Sequence, residues 1–157
     1  MSIHLTPNRL PWPPMIFVGV CAFALLLEAL APLRYDGPAW LTQAGWALGA
    51  AAFALIGWSA WTMRRFKTNI LPHRAADRIV RSGPFAFSRN PIYLGTTTLL
   101  VAAALVRAEP WFLFAAALDA VLVARLAIRR EEEHLAARFP EEWPAYRSAV
   151  PRWIGPF

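Results

Sequence analysis

The chain has 157 residues, 57% of them hydrophobic and eight of them tryptophan, with a formal net charge of +6 at pH 7. A soluble domain of this size is nearer ~45–50% apolar, so the surplus points to lipid, and one domain over residues 1–157 is expected. The single Cys21 excludes an intrachain disulfide framework and reads as a buried, inert thiol.

The first apolar run is expected to span Met15 to about Leu33, entered through Pro11, Pro13 and Pro14. Ala29-Leu30-Ala31 mimics a signal-peptide cleavage site, but Pro32 directly after it blocks cleavage and Glu28 is out of place there, so a retained helix is expected. The second run, Trp40 to Met63, is about 36 Å long as a helix, enough to cross the hydrocarbon core. Arg64, Arg65 and Lys67 close it. Within it, Gly45 and Gly49 form a small-xxx-small pair that admits a neighbouring backbone, which ordinary helix packing explains.

Residues 68–90 are polar and basic, interrupted by Pro72, Gly83 and Pro84. From Ile92 to Val106 the chain is again apolar, turns at Arg107-Ala108-Glu109-Pro110, and resumes at Trp111. From Trp111 to Phe139 neither Pro nor Gly occurs, so one helix of about 43 Å should leave the membrane, continue beyond it and stop at Pro140. The tail, with Trp143, Tyr146 and Trp153 among basic residues, has the composition of a membrane–water interface.

The basic residues are distributed unevenly. Seven of sixteen lie between Arg64 and Arg89 and six more follow from Arg125 onward, whereas only Arg34 and Arg107 occupy the two intervening turns. Alternating segments then put fourteen basic residues, Arg9 included, on one side of a bilayer and two on the other. This asymmetry places both termini in the cytoplasm and explains the net charge without a nucleic-acid partner. The reading is an all-α, polytopic membrane protein with about four transmembrane helices, a cytoplasmic loop and a C-terminal helix.

Common catalytic signatures are missing. No Gly-x-Gly, P-loop or nucleophile elbow occurs, and His4, His73 and His134 lack metal-ligand spacing, so no metal is expected. Two segments stand out. In Arg81-Ser82-Gly83-Pro84-Phe85-Ala86-Phe87-Ser88-Arg89-Asn90-Pro91-Ile92-Tyr93-Leu94-Gly95, Pro91 suits the first helical position and Asn90 an N-cap. That helix start offers unpaired backbone N–H groups suited to a carboxylate. In Arg125–Phe139, helical placement aligns Ala124, Ile128, Leu135 and Phe139 as an apolar stripe flanked by Glu131 and Glu132. Arg129, Arg130, Glu133 and His134 point away, and an Arg129–Glu133 pair accounts for Glu133. Glu131 needs a partner, which an ammonium or a ribose hydroxyl would supply.

Ser82-Gly83-Pro84-Phe85…Arg89-Asn90-Pro91-Ile92-Tyr93-Leu94-Gly95 and Glu131-Glu132-Glu133-His134-Leu135…Phe139…Tyr146…Val150-Pro151 resemble the isoprenylcysteine carboxyl methyltransferase and phospholipid methyltransferase family. The resemblance spans about Thr68 to Pro151. It implies an integral membrane enzyme that binds S-adenosylmethionine under a cytoplasmic cap, without a Rossmann fold, and takes a lipophilic substrate from the bilayer. By position it implies cofactor contacts from Asp77, Arg78, Ile79, Val80, Phe85, Asn90, Pro91, Ile92, Tyr93 and Glu131. The family often has His at Asn90 and Tyr at Phe85, and the substrate-binding Arg of the prenylcysteine enzymes falls at Ala127, leaving Arg125, two residues earlier, as the substrate-binding candidate. No catalytic base is assigned. The rival readings are a membrane reductase of sterol-reductase type using NADPH, and a non-enzymatic scaffold or transporter subunit.

Overall fold

The computed structural model describes residues 12–68 and 78–155. Every described element is helical: α1 (Trp12–Leu30), α2 (Ala39–Arg65), a 3-10 turn (Gly83–Ala86), α3 (Pro91–Arg107), α4 (Trp111–Val123), a π-helical turn (Ala124–Ile128), α5 (Arg129–Arg138) and α6 (Trp143–Ala149). The fold is that of an all-helical membrane protein. Three helical stretches, Pro13–Leu30, Ala39–Arg65 and Trp111–Arg138, are long and apolar enough to cross a bilayer, and α3 is shorter at 17 residues.

The helices end where the local chemistry dictates. Pro13 and Pro14 sit in the first turn of α1, where the missing N–H is no loss. Pro91 occupies the first position of α3, as its sequence suggests, and Ala108 in the left-handed conformation ends that helix. Helix α1 stops at Leu30, three residues early, because the Leu33 amide donates instead to the Glu28 carboxylate (3.2 Å).

In space the order is α2–α3–α4–α1, with α3 also touching α1. Water does not drive helices together inside lipid, so close van der Waals approach must. The α2–α3 seam meets that need with small residues. A Cβ on Gly45 would come within 2.8 Å of Val106 Cγ2, and one on Gly95 within 2.5 Å of Ile56 Cγ1. Gly49 faces Ala102 along the same seam. The main core joins α1, α3 and α4 through Ile16, Val20, Ala24, Leu100, Phe112 and Ala115, with half-buried Cys21 packed against it.

Two acidic groups in the apolar runs find different solutions. Glu28 lies at the end of α1 and pairs with Arg34 (3.3 Å), which also reaches the buried Glu109 carboxylate (3.6 Å) that Arg107 holds at 2.7 Å. Asp119 is fully buried between helices and accepts from Thr97 on α3 (2.7 Å). No base partners it among the described residues.

Candidate functional site

The site assembles at the end of the bundle where α3 begins. Gly83 has a φ of +61°, and a Cβ there would lie 3.0 Å from Thr62 Oγ1, so the 3-10 turn folds tightly onto the end of α2. This sends Ser88-Arg89-Asn90 toward the start of α3. Arg89 is the hub. Its backbone N–H donates to Pro151 O (2.9 Å), and its guanidinium donates to Arg147 O, Val150 O (both 2.8 Å) and the Glu132 carboxylate (3.0 Å). Arg152 donates to the same carboxylate and Arg89 lies over the Trp143 ring, 5.7 Å from its centroid.

Asn90 behaves differently from expectation. It stands at the N-cap of α3, but its side chain makes no cap hydrogen bond; Nδ2 donates to Arg152 O (3.0 Å) and its own amide donates to Ser88 Oγ (3.1 Å). The Nδ2 bond turns the side chain toward the returning tail, so Asn90 ties down the C-terminal segment. The tail aromatics also differ. Trp143 and Tyr146 form a small core with Val150, Ile79 and Leu135, and Trp153 packs on the main core. Burial holds the Tyr146 phenol well above its ordinary pKa, against the pull of Arg89 and Arg81, so it stays a donor to Phe85 O (3.0 Å).

Glu131 meets Tyr93 directly, with the phenol donating to Oε1 at 2.6 Å. Oε2 has no hydrogen-bond partner among the described residues, and no described cation pairs with the carboxylate. Glu133 instead pairs with Arg129 at 3.0 Å on the outer face, as the spacing implies. His134 points inward more than its spacing suggests: its Nε2 is buried without a hydrogen bond among the described residues.

The π-turn explains why Glu131 reaches α3. Asp119 and Glu131 are twelve residues apart, which puts them roughly 120° apart on an unbroken α-helix. Yet both meet α3, at Thr97 and Tyr93, one turn apart on a single face. The turn Ala124–Ile128 carries one residue too many for an α-helix. That surplus removes about one residue of rotation, roughly 100°, and brings the two carboxylates nearly into line. The single helix expected from Trp111 to Phe139 thus runs continuously to Arg138, with this register shift inside it.

Of the residues implied by the resemblance, the structure brings Tyr93 and Glu131 into contact, with buried Asn90 and Pro91 and half-buried Ile92 at the same helix start. Val80 is buried, Ile79 packs on the tail core, Phe85 contributes its carbonyl, and Arg78 is exposed. Arg125 lies exposed on the π-turn with no hydrogen bond or ion pair among the described residues. Asp77 lies outside the described residues. Sequence reasoning gave no role to Arg89, Glu132 or Arg152; the signal was an Arg before the Asn-Pro helix start and a second carboxylate flanking the stripe.

The helices and this polar end define a membrane protein with a half-buried acceptor carboxylate at the base of its bundle. The family model for phospholipid methyltransferases matches residues 40–142, about two thirds of the chain, and the chain belongs to that family. The match takes in α2 through α5 and stops just before the tail that closes over Arg89. No curated protein matches the chain.

Proposed function

We propose that this protein, as a single domain over residues 1–157, transfers a methyl group from S-adenosylmethionine to a lipophilic acceptor at the membrane. Family membership implies a methyltransferase. The observation that carries the cofactor is Glu131: a carboxylate fixed by Tyr93 through one oxygen, with the other free of partners and no cation to neutralise it among the described residues. A cofactor ammonium or ribose hydroxyl fits that acceptor. The first-turn amides of α3, which precede the first bond from Leu94 N–H to Asn90 O, suit a carboxylate. Asp77, Arg78, Ile79, Val80 and Phe85 would complete the enclosure, and Arg125, exposed on the π-turn, would meet the substrate.

Bound there, the sulfonium supplies an already activated methyl group for in-line displacement. The protein's part is then to hold the donor, align the acceptor and exclude water. Tyr93 fixes the carboxylate, and the Arg89–Glu132–Arg152 network holds the tail across the helix start. The acceptor is lipid-like, and no metal or nucleic acid takes part.

Titrating the purified protein in detergent with S-adenosylmethionine and with NADPH tests this. Saturable binding of the former alone is expected, and Glu131→Gln should weaken it by about 1.5–3 kcal/mol, the scale of a charge-assisted hydrogen bond. Glu133→Gln should leave it unchanged. Binding of NADPH alone would favour the reductase reading, and equal effects at both glutamates would sink the site.

The membrane arrangement we propose is four crossings with both termini cytoplasmic. It follows from the fourteen-to-two division of basic residues. Reporter fusions after Asp36 and Arg107 should read external, and one after Lys67 cytoplasmic. A cytoplasmic signal at Asp36 would overturn the map.

A further inference from the structure

The end of α2 is a concentration of positive charge that the cofactor site does not use. Arg64, Arg65 and Lys67 are all exposed, and none has an ion pair among the described residues. No Asp or Glu occurs in the sequence from Gly37 to Ala76, so no acidic neighbour along the chain offsets them. Helix dipole complementation accounts for a basic residue at a C-terminus, but three within four residues exceed it.

Lys67 is the informative one. The helix closes with Lys67 N–H donating to Arg64 O (3.0 Å) and Thr68 N–H to Met63 O (3.1 Å), which puts Lys67 in the left-handed conformation at φ +50°. Glycine is the ordinary occupant of that position, because a side chain there is strained. Here the strained place carries an ammonium. The last turns of α2 and the loop packed on them add three exposed aromatic rings. Arg65 stands over Trp61, 5.5 Å from its centroid, and Trp58 contacts Phe87 of the loop at 6.2 Å. Their exposures are 46% for Trp58, 56% for Trp61 and 42% for Phe87. Exposed indoles next to guanidinium groups that have no ion pair among the described residues, at the end of a helix long enough to cross a bilayer, match the headgroup level of a membrane.

We infer that the end of α2 is a headgroup site for an anionic phospholipid of the cytoplasmic leaflet. Arg64, Arg65 and Lys67 take the phosphate, and Trp58, Trp61 and Phe87 sit at the glycerol level. Guanidinium groups bind phosphate oxygens in pairs, and a basic cluster next to a membrane helix draws anionic lipid selectively. This inference rests on the membrane reading but not on the cofactor, so the two fail separately.

The test is native mass spectrometry of the full-length protein exchanged into detergent containing phosphatidylglycerol or phosphatidylcholine. The parent should retain phosphatidylglycerol about five-fold more than phosphatidylcholine. The triple variant Arg64→Gln/Arg65→Gln/Lys67→Gln should reduce that preference to less than about two-fold. Arg130→Gln with Arg138→Gln, which removes two exposed cations elsewhere, should keep it. Lys67→Gly separates the binding role from a structural one. It should raise the thermal midpoint by relieving the turn while lowering phosphatidylglycerol retention. Equal retention of both lipids by the parent, or an undiminished preference in the triple variant, overturns the site. Loss of the preference on adding inorganic phosphate would make it a site for the free anion instead.

Discussion

Replacing Glu132 with alanine is expected to destabilise the protein by about 3 kcal/mol, near the lower end of the range for breaking a buried ion pair. The Glu132 side chain is 13% exposed and that of Arg89 9%. Removing the carboxylate leaves Arg89 with two backbone carbonyls and no anion among the described residues, in a place water barely reaches. Arg152 adds less, because at 42% exposure its charge is screened by solvent. The loss should be local before it is global. The tail from Arg147 to Arg152 is held by Arg89, Asn90 and Glu132 together, so trypsin should cut the variant at Arg147 and Arg152 well before the bundle opens. Glu133→Ala, which breaks a pair 76% and 64% exposed, should leave unfolding and cleavage unchanged. Thermal unfolding in detergent and timed proteolysis of both variants decide it; identical behaviour would mean that the tail is held by packing alone.

Much of this architecture was legible in the sequence because lipid imposes simple rules. Apolar length, proline at helix starts and basic residues at helix ends fixed the expected positions of α1, α2 and α3 to within three residues. Gly45 and Gly49 pointed to close helix packing, which the seam with Ala102 and Val106 bears out. The Arg129–Glu133 pair followed from i,i+4 spacing. What escaped was long-range pairing. Asn90 reads as an N-cap by type and place, yet a carbonyl 62 residues away takes its amide. Trp143 and Tyr146 read as interfacial because their neighbours are charged, and only the fold shows that Ile79 and Leu135 cover them. The π-turn has no Pro or Gly to mark it. Its trace is a slip in the pattern: Phe112, Ala115, Ala116, Asp119 and Val123 follow one helical line, and Glu131 falls off it.

That slip carries the largest expected effect on the site. One alanine inserted between Ile128 and Arg129 as an ordinary α-helical residue should rotate α5 by roughly 100° beyond the turn. Glu131 would then leave Tyr93 and Glu132 would leave Arg89, although no site residue has been replaced. S-adenosylmethionine binding should fall by at least about thirty-fold, ~2 kcal/mol or more, as expected for losing a charge-assisted contact and its alignment together. Deleting Ala124 should do the opposite of its apparent severity. It removes the surplus residue, lets the turn become ordinary α-helix, and leaves Glu131 on the line of Asp119, so most binding should survive. A thermal double-mutant cycle of Tyr93→Phe and Glu131→Gln, run without cofactor, reads the register directly. Coupling should persist in the deletion background and vanish in the insertion. If coupling behaves this way while S-adenosylmethionine binds none of the variants, the register argument stands and the cofactor assignment falls. If the deletion abolishes coupling as fully as the insertion, the π-turn is a local accommodation of packing and does not aim Glu131 at α3.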